Sequence, residues 1–221
     1  MKEQGVATFE NPHLLQLVEQ KQFDTVYHEH YSYLSISSVI KVFKTNGLTL
    51  FDVKELPVHG GSLRYFAQRS DTGKNLVSDN VRYLLEKEVK AGMKQLNFYQ
   101  EFQTEAELIK TNFLTFLIDQ KKNGKTVVAY GAAAKGSTMI NFCGVRQDLI
   151  AFVVDKNPAK QGKYMPGSRI PIKAEKDLSD FKPDYVVILP WNLKKEVINQ
   201  LCYIRKWGGQ FVITTPIMEL L

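Results

Sequence analysis

The sequence predicts an α/β protein. Its carboxy-terminal part is a small parallel sheet with helices, preceded by a helical connector and, before that, by a helix and an antiparallel strand pair. Three observations carry this reading. After Asn123-Gly124, short β-branched runs alternate with helix-length segments. Between Asn75 and Asn123, apolar residues recur at helical spacing. Upstream, two strand-like runs flank the turn Pro57-Val58-His59-Gly60-Gly61-Ser62.

The elements follow in order. Ile36, Val39, Ile40 and Phe43 form one helical stripe, with Gly47 placed as the residue that stops the helix. Leu48 to Leu56 and Leu63 to Arg69 read as the two strands. In the connector, Val77, Val81, Leu84, Leu85 and Val89 make one amphipathic stripe, and Phe102, Ala106, Ile109, Phe113 and Phe116 make a second, divided by Gly92. Then come strand Thr126 to Tyr130, helix Ala133 to Phe142, strands Ile150 to Asp155 and Tyr185 to Leu189, helix Leu193 to Lys206, and strand Gln210 to Thr214. These patterns divide the chain at 1–72, 73–123 and 124–221.

At 221 residues and 44% hydrophobic content, the chain is long enough for a proper core and is not disordered. Its longest apolar stretches are too short to span a bilayer, and the start Met1-Lys2-Glu3-Gln4 is unlike a signal peptide, so a cytoplasmic protein is expected. Cys143 and Cys202 lie in apolar helical contexts without CxxC spacing and read as buried thiols. The net charge of +6 comes from Lys and Arg interspersed with Asp and Glu, which favours attraction of an anionic small molecule over nucleic-acid binding.

Two segments carry chemistry. Tyr27-His28-Glu29-His30-Tyr31 packs two imidazoles, a carboxylate and two phenols into five residues. Imidazoles exchange protons near neutral pH, so the run suits a general base, with Glu29 able to orient a histidine. Two other readings stay open. One is a His-x-His metal site completed by His59 or Asp52; the other is a polar strand end that caps a helix beginning near Leu34. In an ideal strand, Tyr27, Glu29 and Tyr31 would share one face, and His28 and His30 the other.

The second segment, Gly131-Ala132-Ala133-Ala134-Lys135-Gly136, follows a strand and opens a helix. Gly131, Ala133 and Gly136 hold the three positions of a dinucleotide loop, and Asp155 lies 24 residues after Gly131, about where a ribose hydroxyl would meet an acid. The match is partial, since Ala133 carries a methyl group where a phosphate would come closest. NAD-dependent oxidoreduction is therefore one reading, and glycines that only solve a packing problem are another. Lys135, Asp155-Lys156-Asn157, Trp191-Asn192 and Thr214-Thr215 all fall at the carboxyl ends of strands, the edge where open α/β sheets bind ligands. Asn192 is equally placed to cap the helix starting at Leu193. Lys160, Lys163 and Arg169 flank a Gly/Pro-rich loop, able to meet phosphate or simply be solvated.

Five motifs together resemble the sugar C-methyltransferase family: Phe23-Asp24-Thr25-Val26-Tyr27-His28-Glu29-His30, His59-Gly60-Gly61-Ser62-Leu63-Arg64, Ala129 to Gly136, Val154-Asp155-Lys156-Asn157-Pro158, and Leu189-Pro190-Trp191-Asn192-Leu193. Those enzymes use S-adenosylmethionine to methylate a carbon of nucleotide-linked 4-keto-deoxysugars. The family is built from a cysteine-rich zinc module, a methyltransferase domain and a Rossmann-like domain that helps hold the nucleotide sugar. This chain has no cysteine before Cys143 and no glycine-rich strand-to-helix loop before residue 124. It therefore resembles the end of the methyltransferase domain, left incomplete, followed by the Rossmann-like domain.

The resemblance implies that His30 is the base removing the proton alpha to the ketone, with Tyr27 and Glu29 positioning sugar or base. That pairing requires the strand to have given way to loop by residue 29. By the same token His59, Arg64, Gly131, Lys135, Gly136, Asp155, Trp191 and Asn192 are candidate substrate contacts. No residue of the chain is assigned to the cofactor, and none to a metal. The implied partners are a nucleotide-linked sugar and a separate S-adenosylmethionine-binding half. The alternative function is a nucleotide-sugar binding module that performs no chemistry.

Overall fold

The computed structural model describes residues 1–221, which form two compact units. The first comprises 1–22 and 29–103, and the second 23–28 and 104–221. The six-residue segment Phe23–His28 is thus counted with the second unit, although the chain on both sides of it belongs to the first.

The first unit is built on a three-stranded antiparallel sheet. Strand β1 (Val6–Pro12) leads into helix α1 (Leu14–Glu19), and helix α2 (Ile36–Thr45) precedes the hairpin of β2 (Leu48–Leu56) and β3 (Ser62–Arg69). The spatial order is β1-β3-β2, so the predicted pair is the observed hairpin and β1 adds a third strand along β3. The pattern of β1 hides it from sequence reading: only three of its seven residues are even partly buried, and they do not alternate. Helix α2 starts after Ser35, whose hydroxyl accepts from the Ser38 N–H at 3.1 Å, and Gly47 follows its end at φ +69° as expected. Ile36, Val39, Leu50, Val53, Leu63 and Tyr65 make the core together with Val81 and Leu84 of helix α3 (Asp79–Ala91). Of the predicted stripe, Val81, Leu84 and Leu85 pack on the core, whereas Val89 and Val77, which precedes α3, are exposed.

Glu88 takes a role that the α3 pattern does not announce. Only 3% exposed, its carboxylate accepts from the backbone N–H groups of Ile36 and Ser37 at 2.5 and 3.2 Å and from the Ser37 hydroxyl at 2.8 Å. These are orphan donors of the first turn of α2, so one helix is capped by an acid from another, where the positive end of the dipole favours a negative charge. His13 is buried as well, and its backbone N–H donates to the Gly61 carbonyl at 3.1 Å. Neither of its ring nitrogens has a hydrogen-bond partner, and the nearest charge, Glu55 Oε1, is 3.6 Å away. Burial holds its pKa down to about 4.

Short helix α4 (Asn97–Gln100) and the long α5 (Phe102–Lys122) lead into the second unit. On α5 the predicted stripe is buried at Ala106, Ile109, Phe113 and Phe116. The second unit's sheet contains β4 (Val127–Tyr130), β5 (Val153–Val154), β6 (Ile172–Lys173), β7 (Tyr185–Ile188), β8 (Gln210–Ile213) and β9 (Glu219–Leu220). Their order is β6-β5-β4-β7-β8-β9, parallel throughout except for the β8–β9 pair, which gives a Rossmann-like α/β arrangement. Helices α6 (Ala134–Cys143), α7 (Asp177–Phe181) and α8 (Lys194–Gln200) connect the strands.

The two-residue strands β6 and β9 are too short to leave a periodic signal. The predicted helix over 193–206 is α8 followed by a tighter 3-10 segment, Cys202–Trp207, that stops at Gly208 in the left-handed region. Cys143 is buried as expected, whereas Cys202 is exposed because it opens that 3-10 segment. No helix is long and apolar enough to cross a membrane.

Two outcomes follow from these packing facts. Glu88→Ala strands the start of α2 without its acceptor, so urea denaturation should show a loss of about 2–3 kcal/mol. His13 must stay neutral when folded, so stability is complete above pH 6.5 and falls as the pH drops through about 4, because the unfolded chain binds the extra proton. The full effect is about 3 kcal/mol, since each tenfold change in proton affinity is worth roughly 1.4 kcal/mol. His13→Gln should flatten the decline between pH 6.5 and 4 in thermal melts at several pH values.

Candidate active site

Between Val26 and Tyr33 the chain forms neither helix nor strand. The expected strand alternation therefore does not apply, and the loop that the His30 assignment requires is present. In the first unit this loop borders a cavity of about 400 Å³, to which it contributes Glu29, His30, Tyr31 and Ser32. The β2–β3 turn supplies His59 and Ser62, and the end of β1 supplies Glu10 and Asn11. Three predicted site residues, Glu29, His30 and His59, are thereby brought to one cavity.

The turn is set by its glycines. His59 and Gly60 both have positive φ, and Gly61, at φ +112°, faces the Gln16 carboxamide so closely that an added Cβ would lie 1.8 Å from its oxygen. Gln22 secures the turn from the side by donating to the Gly60 carbonyl at 2.7 Å. Arg64, a fourth candidate, reaches the rim through Glu10, its register partner on β1. Its Nε and Nη2 donate to Glu10 Oε2 at 3.0 and 2.8 Å, while the Ser62 hydroxyl donates to the other oxygen at 2.8 Å. These bonds hold the Glu10 carboxyl below the usual carboxylate range. Tyr31 stands 93% exposed at the cavity edge, an aromatic face open to a ligand. Glu10 and Asn11 escape sequence reading because the strand that carries them does.

The remaining candidates lie in the second unit. Tyr27 is there, its ring 6.5 Å from that of His28. Gly131 ends β4 at φ +96°, where a Cβ would come within 2.5 Å of the Pro190 ring; at Gly136 a Cβ would press on Leu189 at 2.8 Å and on the Gly131 carbonyl at 3.0 Å. Both glycines thus serve close packing of loop and helix onto β7. Asp155 ties the same loop: Oδ2 accepts from the Ala132 N–H at 2.8 Å and from Lys160 Nζ at 3.1 Å, and Oδ1 accepts from the Asn157 N–H at 2.8 Å. Lys160 also donates to the Ala132 carbonyl at 2.7 Å. The carboxylate that a dinucleotide loop would turn toward a ribose is here engaged in holding the loop.

Lys135 is largely buried in the first turn of α6. Its Nζ lies 4.4 Å from the centre of the Trp191 ring and donates to Asn192 Oδ1 at 3.2 Å. Burial lowers its pKa, and nearby Asp24 partly offsets the effect. Asn192 does not cap α8, which begins after Leu193 without a side-chain cap; its carboxamide is turned to Lys135 instead. Trp191 and Asn192 border a second cavity, of about 480 Å³, with Lys195, Thr215 and Pro216. Thr215 is 1% exposed, and its Oγ1 has no hydrogen-bond partner. No three His, Cys, Asp or Glu side chains converge as a metal site.

Residues 57–216 match the family model for the C-methyltransferase C-terminal domain. Over 212 residues, 96% of this chain, the sequence is 35% identical to the C-methyltransferase NovU of Streptomyces niveus, of which the match covers 50%. The chain therefore spans about half the length of the curated relative it matches. A family model covering most of the residues and this identity along nearly the whole chain lead to one conclusion: the chain belongs to the C-methyltransferase family.

Proposed function

We propose that this chain supplies the base and the sugar-nucleotide contacts of a cytoplasmic enzyme that methylates the carbon alpha to the ketone of a nucleotide-linked deoxysugar. The cavity that gathers Glu29, His30 and His59 from separate stretches of the first unit carries the reading. A ketone acidifies the neighbouring C–H bond, and an imidazole is well matched to removing that proton near neutral pH. In this reading His30 is the base, Glu29 orients it, and a donor from His59 favours the enolate oxygen as its charge develops. Tyr27 serves as a positioning group. Tyr31 offers its exposed ring to the sugar, whose C–H faces pack on aromatic surfaces.

The second unit has a cavity of its own that suits a nucleotide. There the cavity beside Trp191 and Asn192 presents an aromatic edge, a carboxamide and the unpartnered Thr215 hydroxyl, with Lys135 and Lys195 supplying positive charge near a diphosphate. Gly131, Gly136 and Asp155 support this edge by fixing the loop that precedes Lys135.

The residues present do not fit S-adenosylmethionine. The first unit's sheet is antiparallel and has no glycine-rich strand-to-helix turn. In the second unit the equivalent loop is packed against Pro190 and Leu189 and tied by Asp155. We assign the cofactor, which supplies the methyl group, to a separate S-adenosylmethionine-binding half. The same engagement of Asp155 counts against an NAD-dependent reaction.

Calorimetry with this chain alone should accordingly show no micromolar binding of S-adenosylmethionine or NAD; micromolar affinity for either would overturn the corresponding assignment. In a protein restored with a compatible S-adenosylmethionine-binding half, His30→Asn should leave sugar-nucleotide binding intact while methylation falls about 10²- to 10⁴-fold. Methylation at the parental rate by a normally folded variant would remove His30 from the reaction. Sugar-nucleotide binding with no methylation by the parental pair would favour the non-catalytic binding module.

A further inference from the structure

The proposed reaction leaves one buried acid without a role. Asp24, 1% exposed, lies in the 3-10 turn Phe23–Thr25 at the start of the segment that the second unit holds. Its Oδ2 accepts from the Trp191 indole N–H at 2.7 Å. Its Oδ1 has no hydrogen-bond partner, and the carboxylate is further helped by the charge of Lys135 and, less, by its own backbone N–H. The charge that faces it is Lys135 of α6, lying over the Trp191 ring. Beside it, the Phe23 ring packs on Phe142 of α6 with centres 4.9 Å apart, and Lys110 of α5 lies over the Phe142 ring at 5.2 Å.

Burial raises the pKa of Asp24 from 3.8 to about 6. A carboxyl whose folded pKa is raised destabilises the fold progressively as the pH climbs from 3.8 through about 6, because the unfolded chain gives up its proton first. At neutral pH the charge works against stability, and an apolar or amide side chain would suit the core better. A buried polar atom left unpaired calls for a reason other than packing.

We propose that Asp24 is a positioning residue: its bond to Trp191 clamps the segment Phe23–His28 to the ligand-facing edge of the parallel sheet and thereby fixes the chain that runs directly into Glu29 and His30. The role rests on the reading of His30 as base. Five residues after Asp24 comes Glu29, and the intervening chain has no strand ladder of its own. A grip on Asp24 is therefore a grip on the start of the reactive loop. Trp191, which the same reading places against the nucleotide, is the other half of the clamp.

The chain has two tryptophans, Trp191 and Trp207, so its indole N–H groups give two resolvable signals in a ¹H–¹⁵N spectrum. The Trp191 signal should move with a midpoint near pH 6 as Asp24 loses its proton, and the Trp207 signal should not; Asp24→Asn should abolish the movement. Amide exchange at Val26 to His30 should quicken about tenfold or more in Asp24→Ala and return close to the parental rate in Asp24→Asn, whose carboxamide oxygen can still accept the indole N–H. A Trp191 signal whose position and pH response are the same in Asp24→Ala as in the parent would overturn the clamp. So would exchange in Asp24→Ala no faster than in the parent. Both measurements use this chain without substrate, so an intact clamp together with parental methylation by His30→Asn would count against the functional reading alone.

Discussion

Between Val26 and Tyr33 no backbone ladder aims the side chains, so the geometry of the loop depends on what grips its two ends. At its start, the indole N–H of Trp191 holds the Asp24 carboxylate. At its far end, the isolated bridge between His13 and Leu34 and the Glu88 carboxylate at the start of α2 fix where the loop stops. Both grips use a buried acid, and in both the charge is answered by N–H donors more than by a basic side chain. Such bonds are short and directional, and they define position more sharply than apolar contact does.

The loop around Gly131 shows how a fold can keep the outline of a cofactor site while using its parts for support. A positive-φ glycine, a glycine under close packing and an acid at the end of the next strand are all present. Yet Pro190 and Leu189 fill the space that the glycines open, and Asp155 bonds to the loop through the Ala132 N–H, with Lys160 bridging the two and the Asn157 N–H holding the carboxylate's other oxygen. The cavity at this sheet edge lies beside Trp191, Asn192 and Thr215, beyond β7 and β8. The same motif can therefore be read as a dinucleotide loop from spacing and as a brace from contacts; the contacts decide, because the Asp155 carboxylate is held against its own loop by three hydrogen bonds.

Much of the fold is legible in the sequence. The parallel sheet of 127–213 follows from short β-branched runs buried on both faces, the β2–β3 hairpin from two strand-like runs about a glycine turn, and the amphipathic helices from a period of 3.6. The misses share one physical cause: β1 buries neither face in alternation, and β6 and β9 are two residues long, so none of the three leaves a period to detect. For the candidate site, residue chemistry and resemblance suffice to name His30, Glu29 and His59. They do not reach Glu10, because its strand is silent, and they allow Asn192 to pass for a helix cap although its carboxamide serves Lys135.

Element types, the family to which the chain belongs and the proton-handling groups were all written in the linear chain, since they depend on local pattern and residue chemistry. Which groups meet was settled in the folded molecule alone. Folding brought His59 to the loop of Glu29 and His30 across some thirty residues, set Glu88 under a helix that starts 52 residues before it, and joined Asp24 to Trp191 across 167. Contacts at such separations arise from burial and hydrogen-bond satisfaction over whole units. No window of sequence holds both partners, so no local pattern could announce them.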